Sequence, residues 1–172
     1  MRMSREWAMP NKWTFQVPPI EAFVRRWLCG RDVIIDPFAG TSTFGTIRND
    51  MADSGFDSVA WLRTLDIQAD AVLLDPPYSP RQMSEAYKLA GLPIGMAGTQ
   101  NARLYKACKD LLSPLLRPGG IALSFGWNSQ GFGLDRGFAL REILLVAHGG
   151  AHNDTICVAE EKIATQARLE AS

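Results

Sequence analysis

The sequence Val-Ile-Ile-Asp-Pro-Phe-Ala-Gly-Thr at residues 33–41 decides the fold class of this chain. A short run of β-branched residues, which favours a buried strand, passes there directly into a loop that contains an aspartate and a glycine. The pattern recurs at residues 71–78, where Ala-Val-Leu-Leu is followed by Asp-Pro-Pro-Tyr. Continuously apolar strands are typical of parallel sheets, so both segments are predicted to be buried parallel strands with functional loops at their carboxyl ends.

Further strands and helices are predicted around these two. Strands are expected at residues 46–48, 121–125, 139–147 and 155–159, and helices at residues 58–65, 81–90 and 101–116. Asp57 is placed as the N-cap of the first helix. The turn-rich residues 149–154 predict an antiparallel hairpin between the last two strands. This order indicates an α/β protein with a mostly parallel, doubly wound sheet and a C-terminal hairpin, with ligands at the carboxyl ends of the strands.

Length and composition exclude several classes of protein. The chain has 172 residues, 47% of them hydrophobic and 21% charged, and we expect one domain at residues 1–172. No apolar run approaches the roughly 18 residues of a membrane span, and residues 1–10 lack the apolar stretch of a signal peptide. We therefore expect a cytoplasmic protein without a membrane partner. The three cysteines and two histidines lack the spacing of a disulfide framework or a metal site, so no metal is predicted.

The net charge of zero conceals two oppositely charged segments. Residues 36–80 contain seven aspartates and two arginines, a sum of −5. Residues 81–117 contain six basic residues and two acidic ones, a sum of +4. The first segment is suited to a cationic ligand and the second to an anionic one, although solvated helix faces give similar imbalances.

Both loops resemble motifs of one enzyme family. Residues 36–41, Asp-Pro-Phe-Ala-Gly-Thr, resemble the first motif of the S-adenosylmethionine-dependent amino-methyltransferases, and residues 75–78 resemble their catalytic tetrapeptide, as in adenine-specific DNA methyltransferases. The resemblance covers about residues 12–160 and implies the Rossmann-like fold of class I methyltransferases. It also implies an enzyme with S-adenosyl-L-methionine as cofactor that methylates the exocyclic amino group of a nucleobase.

The chemistry explains why the tetrapeptide has this composition. The lone pair of an exocyclic amine is delocalised into the ring, which makes the amine a poor nucleophile. Hydrogen bonds to the Asp75 carboxylate and the Pro76 carbonyl favour a pyramidal nitrogen whose lone pair points at the methyl group. Pro76 and Pro77 fix the backbone and remove competing donors, and Tyr78 offers a ring face to an extruded or single-stranded base. The resemblance assigns the catalytic role to these four residues.

The resemblance also assigns a cofactor-binding role to residues before and after the first motif. They are Trp13, Thr14, Phe15, Asp36, Phe38, Ala39, Gly40, Thr41, Asp50 and Asp57. Trp13 and Phe15 are equally explained as core aromatics, and Asp57 as a plain N-cap. The chain departs from the family at Ser42, where a second glycine is usual. Asp50, the candidate for binding the ribose hydroxyls, follows Asp36 by only 14 residues where about 20 are usual, so the intervening helix must be short or absent.

A basic segment beside the tetrapeptide is the candidate nucleic-acid interface, formed by Arg81, Lys88, Arg103 and Lys106. Trp127 is either a stacking residue for a base or a buried anchor. Because the chain has no room for a separate target-recognition domain, recognition must come from short loops, a second copy of the chain or a partner subunit. His148, His152, Asn153 and Asp154 resemble a catalytic cluster, but a hairpin turn explains the same composition.

Three functions remain open at the level of sequence. The first is methylation of adenine N6 in DNA. The second is methylation of an RNA base, adenine or guanine, or of cytosine N4 in DNA. The third is a cofactor-binding subunit without catalytic activity, and the intact residues 75–78 argue against it because such a subunit has no need of them.

Overall fold

The computed structural model describes residues 1–77, 84, 88, 91, 101–150 and 152–164. The strands are β1 (Arg2–Trp7), β2 (Ile34–Asp36), β3 (Ile47–Arg48), β4 (Ala69–Leu74), β5 (Leu116–Gly126), β6 (Phe138–Ala147) and β7 (Thr155–Lys162). The helices are α1 (Pro18–Leu28), α2 (Met51–Ser54), α3 (Ser58–Leu62) and α4 (Asn101–Leu115). Within the described ranges, 3₁₀ turns lie at Thr14–Gln16 and Leu134–Arg136.

The strands form one sheet in the order β1-β6-β7-β5-β4-β2-β3. All neighbouring pairs are parallel except those of β7, which is antiparallel to both β5 and β6. The predicted α/β class, with a mostly parallel sheet and a C-terminal antiparallel hairpin, is therefore confirmed.

Each face of the sheet has its own apolar core. On one face, α1 buries Ile20, Phe23 and Val24 against side chains of β4, β5, β6 and β7. On the other face, α3 and α4 bury Leu62, Cys108 and Leu112 against side chains of β2, β4 and β5. Helices on both faces are the arrangement expected for a doubly wound sheet. No helix in the described part of the chain is long and apolar enough to span a membrane.

Some boundaries differ from the prediction. The strand predicted at residues 121–125 begins at Leu116, because β5 pairs with β4 on both sides of a bulge formed by Pro118-Gly119-Gly120. The helix predicted at residues 58–65 ends at Leu62. Of the helix predicted at residues 81–90, the structure describes Ser84 and Lys88, which are both helical, and the rest lies outside the described residues.

Candidate active site

The two loops singled out in the sequence follow adjacent parallel strands. β2 and β4 pair in the register Ile34↔Ala71 and Ile35↔Val72, so both carboxyl ends lie at the same edge of the sheet. Asp36 is the last residue of β2, and Asp75 directly follows β4. The sequence prediction that the two motifs follow parallel strands is confirmed.

Asp36 is completely buried at this edge. The N–H of Phe38 donates to its Oδ1 at 3.2 Å, whereas its Oδ2 has no hydrogen-bond partner among the described residues. Burial, together with the nearby negative charge of Asp75, raises the pKa of Asp36 to about 7, against smaller opposing effects of the Phe38 N–H, the Arg48 charge and the Ser42 hydroxyl. A cation placed beside Oδ2 would favour the ionised carboxylate and satisfy the atom that the protein leaves unbonded.

The loop between β2 and β3, residues 37–46, contains no helix, as the short spacing predicts. It is held by hydrogen bonds from Asn49 N to Asp36 O and from Ala39 N to Asn49 O. Gly45 packs so closely against Asp36 that a Cβ added to the glycine would lie 2.5 Å from Asp36 Cβ. Ser42, which replaces the usual second glycine, accepts a hydrogen bond from Phe44 N through its hydroxyl. This side chain therefore stabilises the loop locally.

Three of the predicted cofactor residues converge at Gly40. This glycine has a φ of +50°, and a Cβ added to it would lie 3.4 Å from the Trp13 ring and 3.8 Å from Asp50 Oδ2. Asp50 is half-buried and immediately precedes α2. Trp13 and Asp50 are distant in sequence from Gly40, yet the fold places them around one backbone position. An indole ring, a carboxylate and a backbone position without a side chain thus meet at the carboxyl end of β2.

The remaining upstream residues have structural contacts of their own. Thr14 begins a 3₁₀ turn, and Phe15 is only 9% exposed, with edge-on ring contacts to Phe44 at 5.8 Å and Phe125 at 5.0 Å. Phe15 therefore anchors the turn in the core, while Trp13, which is 37% exposed, lies at the surface beside Gly40.

Asp57 is the N-cap of α3, as predicted. Its Oδ1 accepts hydrogen bonds from Val59 N and Ala60 N, both at 2.9 Å. The next residue ties the helix to the site, because Ser58 Oγ donates to Pro37 O at 2.8 Å. The contacts give Asp57 a structural role, and its contact with a cofactor stays a prediction.

Of the tetrapeptide that is predicted to be catalytic, the structure describes Asp75, Pro76 and Pro77, and Tyr78 lies outside the described residues. Pro76 is buried, and Asp75 is half-buried. Asp75 lies close enough to Tyr105 of α4 and Cys157 of β7 that its charge adds to burial in raising the pKa of both groups. Both groups therefore stay protonated at neutral pH.

Sequence reasoning missed Tyr105. Its hydroxyl donates to Phe125 O at 2.7 Å, which fixes α4 against the carboxyl end of β5 beside Asp75. A tyrosine on the apolar face of a helix gives no signal of this role, because the acceptor is a backbone carbonyl 20 residues later.

A groove of about 830 Å³ lies between α4 and residues 127–136. Tyr105, which lies close to Asp75, is one of its lining residues. Trp127 lines it and is 46% exposed, which fits a stacking residue better than a buried anchor. Residues 127–136 are fastened by Lys109, whose ammonium donates to Gln130 O at 2.9 Å and whose pKa burial lowers. Glu160 holds the same segment by accepting backbone N–H groups of Phe132 and Gly133.

The predicted basic interface is only partly described. Lys88, Arg103 and Lys106 are exposed, whereas Arg81 lies outside the described residues. Lys106 forms an ion pair with Asp110, which also binds Arg136 at 2.8 Å. Part of the positive charge along α4 is therefore neutralised within the protein.

The cluster near the hairpin has structural contacts. His148 is 7% exposed, with Nδ1 2.9 Å from Ala8 O and Nε2 2.9 Å from Thr155 Oγ1. Its backbone N–H donates to Asp154 Oδ1 at 3.2 Å, which closes the turn. These bonds support the interpretation as a hairpin turn.

The fold is shared with methyltransferases of known structure. TrmN from Thermus thermophilus matches with a TM-score of 0.51 and 20% identity over 86% of this chain, which spans 49% of TrmN, about half of its length. The candidate methyltransferase yhhF from Escherichia coli gives a TM-score of 0.52 and 10% identity, with 91% of this chain and 92% of yhhF covered. The candidate methylase HI0767 from Haemophilus influenzae gives 0.51 and 12%, with 86% and 98% covered.

In sequence, no protein-family model and no curated protein matches this chain. At identities of 20% and below, the structural likeness shows a common fold rather than a common substrate. The chain therefore has the Rossmann-like α/β fold of these methyltransferases.

Proposed function

We propose that this protein is an S-adenosyl-L-methionine-dependent methyltransferase that acts on the exocyclic amino group of a nucleobase, with adenine N6 in DNA as the preferred target. The observation that carries the proposal is the unbonded Oδ2 of the buried Asp36, beside the Asp75 loop at one edge of the sheet. Buried polar atoms are normally bonded, and those without a partner cluster at functional sites.

The chemistry of the residues around Asp36 fits this cofactor. S-adenosylmethionine carries an ammonium group and a sulfonium ion, which suit a carboxylate, and ribose hydroxyls, which suit a second carboxylate. Asp36 and Asp50 supply these acceptors, and Trp13 supplies an aromatic face. The open backbone at Gly40 allows close approach. The fold of yhhF and HI0767, which is nearly coextensive with this chain, supports the same assignment.

The bound cofactor supplies the methyl group, and the loop after β4 orients the acceptor. Asp75 and the carbonyl of Pro76 accept hydrogen bonds from the target amine, which directs its lone pair towards the methyl group. The two prolines hold these acceptors in place before the substrate binds. Tyr78 stacks on a base that is flipped from the duplex or already single-stranded.

Nucleic acid is the proposed partner, held along α4 and the groove beside it. Arg103 is an exposed cation of α4, Lys88 is an exposed cation of the segment before it, Arg81 and Lys106 are further proposed phosphate contacts, and Trp127 is the proposed stacking residue. The Lys106 ion pair with Asp110 reduces the charge available to phosphate. The affinity is therefore expected to depend on salt, with about two to four phosphate contacts and a log–log slope of about −2 to −4.

Methylation of defined oligonucleotides tests the proposal. The protein is incubated with methyl-labelled cofactor and matched DNA and RNA strands, single and double, and the nucleosides are then identified. N6-methyl-2′-deoxyadenosine from DNA is the expected product, and methylation of RNA or of cytosine would move the proposal to those substrates. Cofactor binding without methylation of any strand would instead support a subunit without catalytic activity. Absence of cofactor binding near 1 mM would contradict the proposal entirely.

A further inference from the structure

Among the residues that the structure describes, no strand pairs with the outer side of β1, which forms an open edge of the sheet. β1 pairs with β6 in an unbroken parallel register from Arg2↔Glu142 to Trp7↔Ala147, and it is the terminal strand of the sheet. Ala8 N donates to Ala147 O at 3.1 Å. Because successive residues of a strand direct their backbone groups to alternate sides, the even-numbered residues bond to β6. Met3, Arg5 and Trp7 therefore point their N–H and C=O groups away from the sheet.

On one face of the sheet, β1 and its flanking residues carry several exposed apolar side chains. Arg2 lies on the side of α1, since its Nε is 3.5 Å from Glu142, the carboxylate that Arg26 of α1 also binds. The odd-numbered residues therefore face the opposite side. Among them and their flanking residues, Met1 is 82% exposed, Met3 70%, Trp7 65% and Met9 67%. An open edge with such a row is a surface prone to pair with another strand.

The sequence of β1 is complementary to itself in an antiparallel pair. Pairing at the open edge must join outward-pointing, odd-numbered residues of two copies. A two-fold axis at Ser4 fulfils this condition by placing Met3 opposite Arg5, and Met1 opposite Trp7. The same register sets Arg2 opposite Glu6 of the second copy twice, in the closer, non-hydrogen-bonded type of pair, where opposite charges attract.

The neighbouring registers lack this complementarity. An axis at Arg5 would place two Arg5 side chains directly opposite each other, which is repulsive. An axis at Met3 would leave Glu6 and Trp7 of each strand without a partner within the other strand. Charge and backbone direction thus favour the same register.

We propose that two copies of this chain associate through antiparallel pairing of β1, with the two-fold axis at Ser4, so that one sheet continues across both subunits. The association covers the exposed backbone edge and brings Met1 against Trp7 of the second copy. It does not depend on the proposed reaction, because β1 lies at the opposite end of the sheet order from β2 and β3.

A proline at position 5 tests the backbone pairing. The N–H of Arg5 points away from β6. Arg5→Pro therefore removes a hydrogen bond of the dimer without removing one to β6, and proline is tolerated where a strand edge faces solvent. Arg5→Ala is the matched control, because it removes the same charge and keeps the N–H. In sedimentation velocity from about 1 to 100 µM, we expect wild type and Arg5→Ala to dimerise and Arg5→Pro to remain monomeric, all with native circular dichroism. A monomeric wild type, or a folded Arg5→Pro protein that dimerises like Arg5→Ala, would overturn the proposal.

Charge reversal tests the register. Glu6→Arg replaces both Arg2–Glu6 pairs of the dimer by pairs of like charge and is expected to raise the dimer dissociation constant about tenfold at low salt, because like charges directly opposite each other destabilise a strand pair. The double variant Arg2→Glu with Glu6→Arg restores opposite charges and should return the constant to within about threefold of wild type. Thermal melting of both variants checks the fold, because Arg2 also contacts Glu142. Equal dimerisation of Glu6→Arg and wild type would exclude this register.

Discussion

Two buried aspartates at opposite ends of the central strands differ in their charge partners and in the direction of their pKa shifts. Asp70, at the amino end of β4, accepts hydrogen bonds at Oδ2 from Asp32 N at 2.8 Å and Val33 N at 2.9 Å, and its Oδ1, which has no hydrogen bond within the described residues, forms an ion pair with Arg117. Those backbone hydrogen bonds, led by the one from Val33, lower its pKa despite burial. Asp36, at the carboxyl end of β2, has one backbone donor, an unbonded oxygen and a pKa raised to about 7.

By this comparison, Asp70 stabilises the fold, whereas ionised Asp36 destabilises it. Asp70 joins the loop before β2 to β4, and its ionised form is favoured by folding. Asp36 is ionised at a cost, because burial removes water from its carboxylate and the Phe38 N–H, the Arg48 charge and the Ser42 hydroxyl compensate for that loss only in part. A cost of this kind, located where parallel strands end, is consistent with a ligand that relieves it.

The largest expected effect concerns the Asp75 carboxylate. If the acidic groups at the carboxyl ends of β2 and β4 serve the reaction, Asp75→Ala should reduce single-turnover methylation by about 100- to 1000-fold, the scale for removing one preorganised polar partner. The thermal midpoint and cofactor affinity should stay close to wild type, because the acceptor bonds act mainly in the transition state. Asp75→Asn, which keeps the size, should lose activity as well. Activity within threefold of wild type in both variants would remove Asp75 from the mechanism.

The second effect should be confined to stability. Asp70→Ala leaves the N–H groups of Asp32 and Val33 without their acceptor, and we expect it to lower the free energy of unfolding by about 2–3 kcal/mol in urea denaturation. Arg117→Ala is the control, because its side chain is 55% exposed and the ion pair contributes under about 1 kcal/mol. Cofactor affinity of the folded Asp70→Ala protein should equal that of wild type. A loss of affinity without a loss of stability would contradict the distinction between the two aspartates.

The third expected effect is a gain in stability rather than a loss. The pKa of Asp36 rises from 3.8 to about 7 on folding, so the folded state holds the proton more tightly than the unfolded state. Its contribution to the free energy of unfolding therefore falls as the pH rises from about 4 to about 7, by at most about 1.4 kcal/mol per pH unit. Asp36→Asn removes this dependence and should be about 1–2 kcal/mol more stable than wild type at pH 8.

Asp36→Asn should also weaken the binding of S-adenosylmethionine. Because a cation favours ionised Asp36, wild-type affinity for S-adenosylmethionine should weaken as the pH falls below 7, by up to about tenfold per unit. Titration calorimetry at pH 6 and pH 8 measures this change, and Asp36→Asn should bind weakly at both. Wild-type affinity that is independent of pH would mean that the cofactor does not contact Asp36.

The sequence predicted the parts of this molecule whose cause is local. The apolar runs before Asp36 and Asp75 were sufficient to place β2, β4 and their loops, and the turn at residues 149–154 predicted the pairing of β6 with β7. β1 was not predicted, because five of its six residues are exposed and it lacks the alternation of a half-buried strand.

The site depends more strongly on tertiary contacts, and less of it could be predicted. The motifs identified Asp36 and Asp75, but the burial of Asp36 and its unbonded oxygen result from tertiary packing, to which Gly45 contributes by lying against Asp36 Cβ. The bond from Tyr105 to the Phe125 carbonyl joins a helix to a strand end, and no local pattern signals it. The meeting of Trp13 with Gly40 likewise requires the complete fold.

The smallest expected effect separates backbone strain from ligand contact at Gly40, in the loop after β2 that is proposed to bind the cofactor. Gly40→Ala introduces a Cβ at a φ of +50°, 3.4 Å from the Trp13 ring, whereas Gly55→Ala does so at a φ of +71° with nothing within 4 Å. Each should cost about 1 kcal/mol of stability, since both put alanine in the left-handed region. Only Gly40→Ala should also weaken cofactor binding, by about three- to tenfold, because its methyl group occupies space between Trp13 and Asp50. Equal cofactor affinities of the two variants in titration calorimetry would show that Gly40 serves the loop conformation alone and that the ligand lies elsewhere on this edge.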